Sequence, residues 1–190
     1  MAGKKRVGIL ALQGAFIEHE QAFNLCGAQS MEIRTPTQLA EVDGLVIPGG
    51  ESTAIGKLMR QYGLDKAIQD RFAAGMPIWG TCAGMILLAR EVADSDQFRL
   101  GLMDIRVKRN AFGRQIESFE ADLEIAGIGT TRGIFIRAPY VEKTWGEARV
   151  LATYEDKIVA VQQGDKLLST AFHPELTEGG EIHRYFLSLL

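Results

Sequence analysis

Pro77-Ile78-Trp79-Gly80-Thr81-Cys82-Ala83-Gly84-Met85-Ile86-Leu87-Leu88-Ala89 is an apolar run interrupted by one sharp turn at Cys82. Its composition reads as strand, tight turn and helix, with the helix continuing to about Val92. Gly80 and Gly84 stand two residues either side of the cysteine and give G-x-C-x-G, the cysteine counterpart of a nucleophile elbow. Glycines there let strand and helix approach closely and leave the thiol exposed. A reactive cysteine between a strand and a helix is the resulting expectation.

The strand-helix alternation extends upstream of the elbow. Val7 to Leu12 is a continuous apolar run of strand length, the pattern of a strand buried on both faces of a parallel sheet. Ala15, Phe16, Ala22, Phe23 and Cys26 recur at helical spacing before Gly27, which places Cys26 on a core face. Met31 to Arg34 and Asp43 to Ile47 read as strands, the second stopping at Pro48-Gly49-Gly50-Glu51-Ser52-Thr53. A helix is expected from about Ser52, with Ile55, Leu58, Met59 and Tyr62 on one face, and another from Asp65 to Ala74. This alternation predicts an α/β fold with a mostly parallel central sheet and helices on both faces.

Beyond Ala93 the texture becomes strand-rich. Ile105 to Lys108, Ile116 to Leu123, Gly133 to Ile136, Val150 to Tyr154, Ile158 to Gln162 and Leu167 to Phe172 alternate or carry β-branched residues. Glu155-Asp156-Lys157 and Gly164-Asp165-Lys166 supply hairpin turns, and Ile182 to Leu190 forms a closing amphipathic helix. Without a linker, repeat or low-complexity segment, residues 1–190 are expected to form a single domain.

Composition narrows the function classes. The net charge is −3 with neither sign in a long block, which gives no electrostatic footprint for nucleic acid and no polybasic membrane patch. The apolar run near the amino terminus stops at Gln13, too short for a signal peptide or a membrane span. Two cysteines, Cys26 and Cys82, make neither a disulfide framework nor a zinc site and fit a reducing cytoplasm.

A nucleophilic cysteine needs a base, and the chain offers His19, His173 and His183. His19 and His183 fall within expected helices among charged neighbours, where a solvated surface position is the expectation. His173 follows an apolar strand and precedes Pro174, which biases it toward an extended backbone. In an extended segment Glu175 projects to the same side and can accept the second ring N–H of His173. Cys82, His173 and Glu175 thus make a nucleophile, base and orienter. Acyl transfer also needs an oxyanion hole. The N–H of Ala83 follows the nucleophile, and the adjacent glycines Gly49 and Gly50 can turn a second N–H inward. No phosphate-binding glycine motif stands in the chain, which argues against a nucleotide site. The chemistry calls for no metal or cofactor.

These segments carry a resemblance. Leu45 to Ser52, Gly80-Thr81-Cys82-Ala83-Gly84 and His173-Pro174-Glu175 resemble the signature segments of class I, triad-type glutamine amidotransferases, which have a flavodoxin-like sheet. Ala11-Leu12-Gln13-Gly14, Pro48 to Thr53, Arg109 to Gln115, Ser118 to Asp122 and Phe135 to Pro139 resemble, more narrowly, the glutaminase subunits of pyridoxal 5′-phosphate synthase. The resemblance runs from Val7 to about Thr177. It implies release of ammonia from L-glutamine and its delivery to a synthase subunit that builds pyridoxal 5′-phosphate from a pentose phosphate and a triose phosphate. It further implies that Gly50, Glu51, Ser52, Arg109, Ile136 and Arg137 hold glutamine, and that docking of the synthase organises the oxyanion loop. Three alternatives stay open: a glutaminase serving a different synthase, a noncatalytic module of the same fold, and a cysteine peptidase or chaperone of related elbow folds.

Overall fold

Strands whose side chains are apolar on both faces must be covered on both sides, and the first half of the chain solves this with a parallel sheet between helices. A computed structural model describes residues 5–110, 112 and 117–190. The first half runs β1 (Arg6–Leu10), α1 (Phe16–Leu25), β2 (Gln29–Ile33), α2 (Pro36–Leu39), β3 (Gly44–Ile47), α3 (Ser52–Gln61), α4 (Leu64–Ala73), β4 (Ile78–Thr81) and α5 (Ala83–Leu88). The second half adds β5 (Ala89–Val92), β6 (Met103–Lys108), β7 (Ser118–Ile125), β8 (Gly129–Ile136), β9 (Tyr140–Thr144), β10 (Ala148–Tyr154), β11 (Lys157–Gln163), β12 (Leu167–Thr170), a 3₁₀ turn (Pro174–Leu176) and α6 (Glu181–Ser188).

The main sheet has the order β2-β1-β3-β4-β12-β11-β9-β6-β5, with β10 also on β11. Its first five strands are parallel, in the flavodoxin-like order, whereas β11, β9 and β6 join through antiparallel pairs. The carboxyl ends of β1, β3, β4 and β12 therefore open onto one edge. The two faces of β4 show how the layers are divided. Trp79 is fully buried against Phe23 of α1 and Phe186 of α6, whereas Gly80 faces Gly84 and Leu88 of α5. β7 and β8 form a separate hairpin, its Phe119 and Phe135 stacked across the strands with centroids 4.5 Å apart.

Several expected elements shift. The spacing of Met85, Leu88, Ala89 and Val92 fits a helix to Val92, yet α5 ends at Leu88. Ala89 turns extended and β5 pairs with β6, so tertiary pairing overrides a short periodic signal. Tyr62 is 49% exposed rather than inward, because α3 ends at Gln61 and Gly63 turns left-handed at φ 69°. Cys26 is half-buried at the end of α1, its thiol 3.8 Å from the Gly180 carbonyl, rather than within the core. The structure also adds β9 and α2, which no sequence pattern announced. The start of the expected strand at Ile116, and Ala111, Gly113, Arg114 and Gln115 of the quoted motif, lie outside the described residues.

The elbow is held by contact distance. A Cβ at Gly84 would stand 2.0 Å from the carbonyl oxygen of Ile47 in β3, and one at Gly80 would stand 2.5 Å from the Gly84 backbone. Neither neighbour is a flexible side chain that can give way. Gly84→Ala should therefore lower unfolding free energy by about 2 kcal/mol or more, read as a fall in the urea midpoint; an unchanged midpoint would refute the close approach.

Candidate functional site

The ends of six strands, β1, β3, β4, β6, β8 and β12, build the site. Cys82 follows β4 with φ 49°, the strained left-handed geometry of an elbow, and its N–H donates to the Thr170 carbonyl of β12 at 2.8 Å. The thiol is not freely exposed as the bare motif suggests. It is 8% accessible and lines a pocket of about 430 Å³. His173 follows β12 and lines the same pocket, and its N–H donates to the Ile134 carbonyl of β8 at 2.8 Å. Glu175 lies behind it, with Oε1 2.7 Å from His173 Nδ1. That contact matches the expectation, although the backbone achieves it differently: Pro174 opens a 3₁₀ turn instead of continuing an extended strand.

Burial acts to lower the His173 imidazole, but its hydrogen bonds to Cys82 and Glu175, together with their charges, raise it to about 10. Burial acts to raise the Glu175 carboxyl, but His19 and His173 nearby hold it below the ordinary carboxylate value. His173 is thus an imidazolium at neutral pH, charge-paired to the Glu175 carboxylate on one ring nitrogen and sharing the pocket with Cys82.

The loop after β3 forms the opposite wall. A Cβ at Gly49 would meet His173 Cε1 at 2.4 Å, so this residue must be glycine for the imidazole to fit. The Gly49 carbonyl accepts from the Ala15 N–H at 2.9 Å, which directs the Gly50 N–H away from Ala15 across a trans peptide. Ala83 opens α5 beside Cys82, where the first helical N–H groups have no partner within the helix.

All six residues assigned to glutamine by resemblance line this pocket: Gly50, Glu51, Ser52, Arg109, Ile136 and Arg137. Glu51 also caps α3, accepting from the Ala54 N–H at 2.9 Å. A hydrogen bond from the Thr53 hydroxyl, the Ala54 N–H and the Arg109 charge outweigh burial and lower its carboxyl. Arg109 lies 3.7 Å from Glu51, and Arg137 adopts a left-handed φ of 43° where β8 ends.

Sequence reasoning missed several neighbours. Gln13 follows β1 at the same sheet edge; its Oε1 accepts from the Glu51 N–H at 2.7 Å and would collide with any Cβ at Gly50. Its place after a strand in a parallel sheet was the available signal. Gln97, in a loop with no periodicity, accepts from Arg109 at 2.8 Å and donates to Ser52 Oγ at 3.1 Å. Asn110 also lines the pocket. The largest departure is that His19 and His183, expected on the surface, are both fully buried against Trp79. Each falls on the inward stripe of its helix, which their charged sequence neighbours disguise. A wider pocket of about 640 Å³, lined by Lys57, Arg60 and Phe98 among others, contains neither cysteine nor histidine. No helix among the described residues is long and apolar enough to cross a membrane.

An elbow cysteine charge-linked to a strand-end His-x-Glu on a flavodoxin-like sheet defines the class I glutamine amidotransferase architecture. The family description "SNO glutamine amidotransferase family" matches residues 9–190, and the chain belongs to that family. A relative from Pelotomaculum thermopropionicum is 56% identical over 184 residues, covering 96% of this chain and 93% of its own, and is named pyridoxal 5′-phosphate synthase subunit PdxT. One of the same name from Moorella thermoacetica is 54% identical, covering 97% of this chain and 99% of its own. A crystal structure of a glutamine amidotransferase superposes with TM-score 0.93 at 49% identity, over 96% of this chain and 97% of its own. The PurLQS structure from Thermotoga maritima shares the fold at TM-score 0.72 and 16% identity, over 98% of this chain and 99% of the matched one.

The His173 shift fixes a pH dependence of stability. The folded imidazole holds its proton to about 10, against 6.5 ordinarily, so the stabilisation is full below about pH 6.5 and is lost as pH rises toward 10. Urea unfolding at successive pH values should show a decline approaching about 1.4 kcal/mol per pH unit. Glu175→Gln should flatten that slope, and an equal slope in the variant would contradict the pairing.

Proposed function

We propose that this protein is the glutaminase subunit of a pyridoxal 5′-phosphate synthase. It hydrolyses L-glutamine to L-glutamate and ammonia and hands the ammonia to a synthase subunit in the cytoplasm, residues 1–190 acting as one amidotransferase domain. The observation that carries the reading is the Cys82-His173-Glu175 line at the sheet edge, with Glu175 Oε1 2.7 Å from His173 Nδ1. The names of relatives that cover more than nine-tenths of the chain support the choice of synthase.

Cys82, as a thiolate, attacks the side-chain amide carbon and forms the C–S bond. The N–H groups of Gly50 and Ala83 receive the developing oxyanion, whose stabilisation by each such donor is worth about 10²–10³ in rate. His173, as imidazolium, protonates the departing nitrogen; the C–N bond breaks and a glutamyl thioester remains. The neutral imidazole then takes a proton from water, whose attack releases glutamate and restores the thiolate. Glu175 orients His173 and stabilises its charged form.

The pocket offers opposite charges for the two charges of the amino acid. Arg109 and Arg137 hold the α-carboxylate and Glu51 the α-ammonium, through charge-assisted contacts. Ser52, 3% accessible and tied to Gln97, supplies a fixed hydroxyl, and Ile136 covers the methylenes. Free ammonia would be protonated in water, so transfer to a docked synthase is the sensible fate of the product. Docking sets the Gly49-Gly50 peptide for catalysis, and the chain alone is nearly inactive.

Ammonia release from glutamine, measured with and without a pyridoxal 5′-phosphate synthase subunit, tests the reading. Cys82→Ala should lose on the order of 10⁴-fold or more in kcat while keeping the wild-type urea midpoint. Ammonia release that survives this substitution would overturn the mechanism, and full activity without the synthase would overturn its role as activator.

A further inference from the structure

Behind Glu175 lies a pair of histidines that the proposed mechanism leaves unused. His19 Nε2 stands 3.4 Å from Glu175 Oε2 and 3.2 Å from the Thr81 hydroxyl oxygen, and both the His19 and Glu175 side chains are inaccessible to solvent. His19 Nδ1 lies 3.0 Å from Nε2 of His183 on α6. Packing fixes both rings: the edge of His19 meets Trp79 at 5.3 Å between centroids, and His183 meets Phe23 at 4.8 Å. We propose that His19 is a positioning residue for glutamine hydrolysis, its Nε2–H holding the far oxygen of Glu175 so that the near oxygen stays on His173. The proposal rests on the glutaminase reading and deepens it.

The tautomers follow from electrostatics. An unprotonated Nε2 would set its lone pair against a carboxylate oxygen where no water screens the repulsion. Nε2 therefore carries the proton, and Nδ1 accepts from His183 Nε2–H. That leaves His183 Nδ1 without a proton, consistent with a buried atom that has no hydrogen bond among the described residues. Glu175 Oε2 likewise is buried with no hydrogen bond among those residues, and His19 Nε2 faces it at 3.4 Å. Burial lowers both histidines from their ordinary value, His183 to about 2, so the pair stays neutral.

Neutrality matters to the role. A lysine or arginine behind Glu175 would compensate its charge and weaken its hold on the His173 imidazolium. A buried neutral imidazole stops the carboxylate rotating about its last torsion and leaves the negative charge facing His173. Because the same N–H also faces Thr81, the residue before Cys82, His19 ties the elbow strand to the turn that carries Glu175.

The test compares wild type, His19→Leu and His19→Gln, each assayed with the synthase subunit. Leucine fills the space without a donor, whereas a glutamine amide N–H can stand near imidazole Nε2. His19→Leu should lower kcat about 10- to 100-fold with KM for glutamine changed less than about threefold, and His19→Gln should recover most of the loss. Wild-type kcat in His19→Leu, or a folded His19→Gln no better than leucine, would overturn the proposal. Ring ¹⁵N shifts of the wild-type protein give a readout that needs neither variant folding nor turnover. A neutral Nε2–H tautomer at His19 supports the proposal and an Nδ1–H tautomer overturns it. Failure of the wild-type pair to release ammonia would sink the glutaminase reading, and the tautomer would still judge the contact between His19 and Glu175.

Discussion

Gly84 approaches the carbonyl oxygen of Ile47 so closely that a single methyl group would stand 2.0 Å from it. That contact draws the start of α5 down between β3 and β4, and the rest of the site inherits its position from it. With α5 seated there, Cys82 has to take a left-handed backbone to join strand to helix, a conformation that costs roughly 1–3 kcal/mol for a residue with a side chain. The surrounding core holds that strain in place: Ile47, Ile78, Trp79, Met85 and Leu87 are all fully buried. Gly49 repeats the device on the other side of the thiol, where its missing side chain leaves room for the His173 ring. Cys82, His173 and the loop after β3 converge because glycine allows backbone where side chains would otherwise stand.

The second constraint is electrostatic. Glu175 is a buried carboxylate, and an isolated buried charge is prohibitively unfavourable in a low-dielectric interior. Its ionisation depends on His173 on one oxygen and the neutral His19 behind the other. A buried ion pair of this kind is weak evidence for stability, since its desolvation can cancel its attraction. Its value lies in keeping one imidazole charged, oriented and in contact with a cysteine. Trp79, Phe23 and Phe186 supply the dry, rigid wall against which the two inner histidines are ordered.

The strand-rich second half completes the pocket around this centre. β6 leads into Arg109, and the stacked Phe119–Phe135 pair locks the hairpin whose end presents Ile136 and Arg137. Gln97 ties Arg109 to Ser52 across the pocket floor, so two charged or polar groups from distant segments are held before any substrate arrives. The PurLQS structure from Thermotoga maritima shares this fold over 98% of the chain, the strand-rich half included.

The sequence alone made legible the elbow, the alternation of strands and helices in the first half apart from α2, and the grouping of Cys82, His173 and Glu175. Those signals are local: glycine spacing, an apolar run with a fixed period, and a proline beside a histidine. It misjudged the end of α5, because Met85, Leu88, Ala89 and Val92 satisfy a helical period that β5 and β6 override by pairing. His19 and His183 were misjudged for a related reason. Their neighbours in sequence are charged, and only the crossing of α1 and α6 over Trp79 brings the two rings together in the core. Tertiary structure alone decided that a residue 156 positions before Glu175 stands at its back, because proximity across elements depends on packing and leaves no periodic trace in the chain.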